Sequence, residues 1–332
     1  MSSRRIQDVI NDAVNFISET QLPSGAIPWY QDGLTDPWDH VACAIALDAC
    51  GRSKVSQQAY QWLRTVQNPD GSWWYTYQDD KPKELTKDSN HSSYVASGVW
   101  HHYLATHNKN FLREMWEMVE QGINFALSMQ QPTGEIFWAR DAKGNVWPSA
   151  PLAGCACIWN SLQDALKIAN VLGYKRPDWR EASDRLVRAI REKPHLFNTL
   201  GDNQRGYAMG WYYPVLTGIS RGNKARLMID EEWEDFIIDG WGCKCTLDQP
   251  WVTTAETCEL IMALIKLGDW SRAKTLLKWV FNQRDSDGGF WTGIKLPEKI
   301  IYPAGEKNTW TAAGVILATM ASVGGEAVSD LF

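Results

Sequence analysis

The sequence predicts an all-α protein whose helices form an (α/α)6 barrel, a twin-shelled α/α toroid built as one domain over 1–332. Two observations lead to this prediction. Six amphipathic, charged helical segments alternate with six that are nearly uncharged, and a glutamine–glycine–tryptophan motif recurs four times. Because a helix that is apolar on all sides is buried on all sides, the uncharged set should form an inner shell and the charged set an outer one.

The two sets of helices follow each other along the whole chain. Apolar residues recur at three- and four-residue spacing in the charged set, as in Val9, Ile10, Ala13, Val14 and Ile17. The predicted outer helices are 6–20, 55–66, 111–129, 180–191, 231–238 and 272–282. The predicted inner helices lie within 36–51, 90–104, 149–162, 206–218, 250–268 and 308–325.

The repeated motif joins outer helices to inner ones. Its copies are QLPSGAIPW (21–29), QNPDGSWW (67–74), QQPTGEIFW (130–138) and QRDSDGGFW (283–291). Glycine permits a tight turn, and an indole can cover a helix end while its N–H binds a carbonyl. These tryptophans are therefore expected to be mainly structural.

Composition narrows the possible partners and location. A net charge of −6 argues against nucleic acid and against docking on anionic lipid. The first residues are polar, no long apolar stretch follows, and the seven cysteines are scattered, so a cytoplasmic location is expected. Peripheral membrane contact and the oligomeric state are left open. The pairs Cys155/Cys157 and Cys243/Cys245 favour packing over zinc, so neither a metal nor a cofactor is expected.

Acidic residues stand where inner helices begin. Asp36 and Asp39 precede or open the first, Asp88 the second, and Glu256 lies early in the fifth. An aspartate before a helix often accepts backbone N–H bonds as an N-cap. A structural role and a catalytic role both remain open for these acids.

Several of these segments resemble a known family. The repeats, together with DPWDHVACAIALDACG (36–51), KDSNHSSYVASGVW (87–100), VTTAETCELIMALIKLG (252–268) and SDGGFWTGIKLPEKIIYP (286–303), resemble the β-domain of class II terpene cyclases of the squalene–hopene type. The resemblance runs over essentially the whole chain. Since only one barrel is present, it is closest to the bacterial monodomain class II meroterpenoid cyclases.

The resemblance implies an isomerase that cyclises a farnesyl-type prenylated aromatic acid after protonating an alkene. The family's Asp-x-Asp-Asp motif matches Asp88-Ser89-Asn90-His91 here, with Asn90 at the donor position. An amide is not a Brønsted acid, so Asp88 becomes the first candidate donor, oriented by Asn90 or His91, and Asp39 and Asp36 come next.

Carbocation chemistry also needs aromatic walls around the substrate. The candidates for substrate binding are Trp38, Trp74, Tyr75, Tyr94, Trp100, Tyr212, Trp251, Glu256, Trp291, Tyr302 and Trp310.

Three alternatives remain beside the cyclase. One is a non-catalytic isoprenoid-binding barrel, and another is a zinc prenyltransferase-like enzyme. The third is a glycosidase on an (α/α)6 barrel that uses Asp36, Asp88 and Glu256 as carboxylates, although this alternative leaves the repeats unexplained. An assay of oligosaccharide hydrolysis separates the third from the others.

Overall fold

The computed structural model describes residues 3–198 and 206–324. The described chain is mostly helical, which confirms the all-α class, and its strands are short. The helices are α1 Ser3–Thr20, α2 Pro37–Ala49, α3 Ser53–Val66, α4 Ser89–Thr106, α5 Lys109–Leu127, α6 Leu152–Leu172, α7 Pro177–Glu192, α8 Ala208–Leu216, α9 Gly222–Glu231, α10 Trp233–Phe236, α11 Thr254–Leu267, α12 Trp270–Phe281 and α13 Thr309–Gly324.

The strands form four small antiparallel sheets. Their bounds are β1 Thr76–Gln78, β2 Lys81–Glu84, β3 Thr86–Asp88, β4 Ala139–Asp141, β5 Val146–Trp147, β6 Ile237–Ile238, β7 Gly242–Cys243, β8 Trp251–Thr253, β9 Gly293–Lys295 and β10 Ile300–Ile301. The sheet orders are β1-β2, β3-β4-β5, β6-β7 and β10-β9-β8.

The chain divides into two compact units. One comprises 21–204, and the other comprises 1–20 with 205–332. In the first unit α4 packs against α2, α5 and α6; in the second α11 packs against α8, α12 and α13. The organisation of 1–332 as one domain stays a prediction.

The predicted division into two kinds of helix is confirmed by burial. In α11 every residue from Thr254 to Ile265 is buried, including Glu256 and Glu259, as expected for a helix of the nearly uncharged set. By contrast, α5 buries a single stripe that includes Phe111, Met115 and Met118. Among the described residues, no helix is both long and apolar enough to cross a bilayer.

The outer helix predicted at 231–238 is wrong. The longer helix in this region, α9, begins nine residues earlier, at Gly222, and buries Ala225 and Ile229. Within 231–238 the helix α10 is only four residues long. Ile237 and Ile238 instead pair with β7. An Asp-Gly sequence after two β-branched residues favours a hairpin, and Gly240 has a φ of 80°.

The glutamine of each repeat fastens its turn to the rest of the unit. In the second copy, the Gln67 amide donates to the carbonyl oxygens of Gly71 and of Met118 on α5, both at 3.0 Å. The first and third copies repeat the pattern: Gln21 donates to Gly25 and Val55, and Gln130 donates to Gly134 and Ala182. These three turns are therefore bonded to the amphipathic helices α3, α5 and α7 in turn. In the fourth copy, the Gln283 amide donates to the carbonyl of Trp241 instead.

The glycines of the repeats are required by space as well as by conformation. Gly71 has a φ of 86°, and a Cβ there would lie 2.3 Å from the carbonyl oxygen of Gln121. Gly25 approaches Gln58 and Gly134 approaches Arg185 in the same way. The expected structural role of a repeat tryptophan is seen at Trp73, whose indole N–H donates to the carbonyl of Leu63 at 2.9 Å.

We expect Gly71→Ala to lower the free energy of unfolding by at least about 1 kcal/mol more than Gly144→Ala. Both glycines have a positive φ, but a Cβ on Gly144 meets nothing within 4 Å. The cost of the left-handed backbone, roughly 1–2 kcal/mol, is therefore common to both, and the clash with Gln121 adds an overpacking cost of about 1–3 kcal/mol. Urea unfolding of the two variants measures the difference, and equal losses would contradict the close approach.

Candidate functional site

In the unit 21–204, two of the predicted acids cap the helices α2 and α4. Asp36 precedes α2 and accepts bonds from the backbone N–H of Asp39 at 2.9 Å and from the Trp29 indole at 2.5 Å. Asp88 precedes α4 and accepts from the backbone N–H groups of Asn90 and His91, at 2.6 and 3.2 Å. Both carboxylates are buried, and both satisfy N–H groups that a helix start leaves without partners.

Asp36, Asp39 and Asp88, here called the Asp cluster, share one tyrosine neighbour. Burial raises the pKa of Tyr75 above its usual range, and the charges of all three aspartates and of Glu84 raise it further. Asp39 lies in the first turn of α2 and is half-buried. The structure thus brings the three predicted acids near one phenol.

The surroundings of Asp88 favour the protonated form of its carboxyl group. Burial raises the pKa of Asp88, the charge of Asp36 raises it further, and His91 with the two backbone N–H bonds opposes the rise. A carboxyl group whose pKa is raised keeps its proton to higher pH than an exposed one. The cluster therefore combines carboxyl groups held in different environments.

Aromatic rings adjoin the Asp cluster. Tyr75 stacks on the His91 ring, with centroids 4.8 Å apart, and Trp38 meets Tyr94 edge-on at 4.9 Å. Trp100 lies elsewhere, because it follows Asn90 by ten residues on α4, or roughly 15 Å along the helix axis. Trp74 is half-buried beneath the Lys87 ammonium group.

Sequence reasoning missed Glu135. Its side chain is buried, and its Oε2 atom has no hydrogen-bond partner within the described part of the chain. Burial raises the pKa of the Cys155 thiol to about 12, and the charges of Glu135 and Asp88 add to this rise. A signal was available: the residue after the turn glycine is Ala26 in the first repeat and Ser72 in the second, but a glutamate in the third.

In the other unit, the first turns of α11 hold a second acidic group. Glu256 is buried, and its Oε2 atom has no hydrogen-bond partner among the residues described. One turn later Glu259, which sequence reasoning also missed, accepts bonds from the hydroxyls of Tyr212 at 2.5 Å and Tyr213 at 2.7 Å. Burial raises the pKa of Glu259 to about 8; the charge of Glu256 raises it too, and the tyrosine bonds oppose the shift.

The paired cysteines of this unit lie beside the same acids. The Cys245 thiol shares a hydrogen bond with Glu256, and burial raises the pKa of both Cys243 and Cys245. Zinc binds thiolates, which burial disfavours here. The described residues contain no group of three or more His, Cys, Asp or Glu side chains placed to hold a metal ion.

The remaining predicted aromatic residues of this unit are distributed over several elements. The Trp251 indole N–H donates to the carbonyl of Tyr302 at 3.0 Å, and Tyr302 is exposed. The Lys307 ammonium group covers the Trp291 ring, and Trp310 is half-buried in the first turn of α13. The predicted residue Tyr212 reaches the acids of α11 directly, because its hydroxyl donates to Glu259.

Comparison with known proteins decides between the alternatives. No family model matches the sequence. The chain is 44% identical over 302 residues to the MMP endo-(1,4)-3-O-methyl-α-D-mannosidase of Mycolicibacterium hassiacum, covering 91% of this chain and 82% of the relative. The chain belongs to the family of this mannosidase.

Solved structures of low sequence identity share its fold. A wild-type glycosidase matches with a TM-score of 0.76 at 12% identity, covering 98% of this chain and 99% of its own. A D-mannose isomerase matches with a TM-score of 0.73 at 13% identity, covering 97% and 98%.

The terpene cyclase interpretation is therefore wrong. The relative is a mannosidase, and the solved structures just described are a glycosidase and a D-mannose isomerase. The resemblance to class II cyclases, the isomerase activity, the meroterpenoid pathway and the prenylated substrate are therefore all overturned. The physical reason is already visible at Asn90, which cannot donate the proton that such a cyclase needs.

We expect Glu259→Gln to change the pH dependence of stability. In the folded protein Glu259 has a pKa of about 8 against an ordinary value of 4.5, so the folded state holds the proton more tightly. The stability that this group contributes is present below about pH 4.5 and is lost as pH rises toward 8. Because glutamine does not titrate, the variant should gain roughly 3–5 kcal/mol relative to wild type between pH 4.5 and 8.5.

Urea unfolding at several pH values measures this gain. Glu298→Gln is the matched control, because Glu298 is exposed. A difference between Glu259→Gln and wild type that stays constant over this pH range would show that Glu259 is already ionised in the folded protein.

Proposed function

We propose that this protein is an endo-acting glycoside hydrolase of α-1,4-linked mannosides, with 3-O-methylated mannose chains as the substrate class. The observation that carries the proposal is its 44% identity, over 91% of the chain, to the endo-(1,4)-3-O-methyl-α-D-mannosidase. Identity at this level over most of both chains supports a common reaction. The fold likeness to a glycosidase agrees with it.

The proposal includes the architecture that the sequence predicts. We expect the alternating helices to close into one (α/α)6 barrel domain, as their two burial classes suggest. A cytoplasmic location likewise stays a prediction.

Hydrolysis of a glycosidic bond generally requires two carboxyl groups. One donates a proton to the departing oxygen, and the other activates water or attacks the sugar itself. Asp36 and Asp88 already accept two hydrogen bonds each from their own unit, so their first role is to fix helix starts.

Asp39 is the candidate carboxylate of the unit 21–204. The backbone N–H of Asp39 binds Asp36, which fixes its place in the first turn of α2. A helix N-terminus favours a negative charge, because unpaired N–H groups leave a partial positive charge there. Asp39 is less buried than Asp36 and Asp88, which suits a group that must reach substrate.

Glu256 is the candidate proton donor of the other unit. One of its oxygens is buried and has no hydrogen-bond partner in the ranges 3–198 and 206–324, and a buried polar atom of this kind is costly unless a ligand or water satisfies it. Glu259, held by Tyr212 and Tyr213, stands one turn away as a positioning residue.

Aromatic residues near the Asp cluster suit a methylated sugar. Tyr75, Trp38 and Tyr94 supply flat apolar surface, and their polar edges can hydrogen-bond. A pyranose ring carrying an O-methyl group has apolar faces beside its hydroxyls, so surfaces of this kind complement it.

We expect Asp39→Asn and Glu256→Gln each to lower kcat/KM on a 1,4-linked 3-O-methyl-α-mannose oligosaccharide by at least about 10²-fold. Each change removes the ionisable proton site but keeps the shape, and losses of this size are typical of general acid or base residues. Chromatography of the released oligosaccharides measures the rate, and endo action should yield internal fragments before monosaccharide.

Exposed carboxylates provide the matched controls. Asp32→Asn and Glu298→Gln alter exposed side chains in the respective units and should keep wild-type activity. If wild type cleaves no mannoside, the proposed reaction fails. If it cleaves and both variants stay active, the reaction stands and the residue assignment fails.

A further inference from the structure

A pocket in the second unit lies away from the acids of α11. Its volume is about 390 Å³, and it is lined by Val215, Gly218, Ser220, Arg221, Gly222, Asn223, Arg226, Lys266 and Leu267. Lys266 follows Glu256 by ten residues on α11, so the two lie roughly 15 Å apart along the helix axis. The pocket therefore stands at the opposite end of α11 from the proposed proton donor.

The charge of this pocket is of one sign. Arg221, Arg226 and Lys266 line it, and none of the residues forming its wall, all within the described ranges, is acidic. This contrasts with the net charge of −6 for the whole chain. A concentration of positive charge in an acidic protein favours an anionic ligand at this place.

The first turn of α9 adds hydrogen-bond donors to the pocket. Gly222 and Asn223 open this ten-residue helix and line the pocket, and no side chain within the described residues caps this helix start. Backbone N–H groups at a helix N-terminus point outward and bind phosphate groups in many proteins. A cationic pocket and an uncapped helix start thus coincide.

Ser220 supplies an independent observation. It lines the pocket, only 7% of its surface is exposed, and its hydroxyl has no hydrogen-bond partner among the described residues. A buried hydroxyl without a partner costs free energy, which a ligand oxygen can recover.

Two of the cations also hold backbone carbonyls. Arg221 donates through Nε to the carbonyl of Gly218 at 2.7 Å, and Lys266 donates to that of Leu216 at 3.0 Å. A guanidinium carries five N–H donors, so one such bond orients Arg221 without exhausting it. The bonds therefore preorganise the pocket.

We propose that this pocket binds a phosphate dianion, either as inorganic phosphate or as the monoester of a small sugar. Three cations with a helix N-terminus suit two negative charges better than a single carboxylate. The volume exceeds that of a bare ion and lies within the range of small-ligand pockets. The site is separate from the proposed hydrolysis and does not depend on it.

Thermal unfolding of the full chain tests the site with inorganic phosphate, mannose 6-phosphate and mannose, against sodium chloride at equal ionic strength. Either phosphate should raise Tm saturably, by roughly 5 °C at a concentration a hundred times Kd. Mannose and sodium chloride should not. Tighter binding of mannose 6-phosphate assigns the ester, and equal binding assigns the free ion.

Two variants separate binding from folding. Arg226→Ala should weaken phosphate binding at least about tenfold. Asn223→Asp should abolish binding by repulsion while keeping the stability of α9, since an acidic residue in the first turn favours the helix. Both variants should keep mannoside hydrolysis.

Arg188→Ala is the matched control, because Arg188 is exposed on α7 in the other unit, and it should bind phosphate as wild type does. If phosphate causes no saturable rise in the Tm of wild type, the proposal is overturned. The role of Arg221 and Lys266 would then be to hydrogen-bond the backbone carbonyls of Gly218 and Leu216. A shift that survives in both Arg226→Ala and Asn223→Asp would also overturn the proposal.

Discussion

The bonds between the repeat turns and the starts of α2, α4 and α11 are the constraint on which the rest of the structure depends. In the first repeat, the Trp29 indole binds the carboxylate of Asp36, the cap of α2. In the third, the carbonyls of Phe137 and Trp138 receive the hydroxyl of Ser89, the first residue of α4. In the fourth, the carbonyl of Trp291 receives the hydroxyl of Thr254, the first residue of α11.

These three helices carry the candidate acids. The glutamine amides bond the first three turns to α3, α5 and α7, so each of these turns is held in place by a neighbouring helix. A turn that is held in place fixes the position at which α2, α4 or α11 begins. It thereby also fixes the position of a carboxyl group at the start of that helix. Catalytic groups are most precise when regular elements and hydrogen bonds hold them. The repeat turns thus position the proposed catalytic residues Asp39 and Glu256, which lie outside the repeats.

Much of the fold could be predicted from the sequence because it depends on local patterns. The single apolar stripe of α5 and the apolar run from Leu260 to Ile265 in α11 distinguish the two helices, and glycine explains the repeat turns. The function could not be predicted in this way. A Gln–Gly–Trp turn indicates how two helices are joined, and here it occurs in a chain of a mannosidase family, so the motif favoured the wrong chemistry. Glu259 was missed because its burial arises from tertiary packing that no local pattern shows, whereas Glu135 was missed although its place after the turn glycine sets the third repeat apart.

The central claim is that carboxyl groups at these fixed helix starts act on a glycosidic bond. The most direct measurement is a crystal structure of the Asp39→Asn variant with a 3-O-methyl-α-mannose oligosaccharide bound. The account predicts a glycosidic oxygen or its attacking water within about 3 Å of residue 39 or of the Glu256 carboxyl group. An oligosaccharide bound with both of these side chains beyond hydrogen-bond reach of every glycosidic oxygen and its water would contradict it.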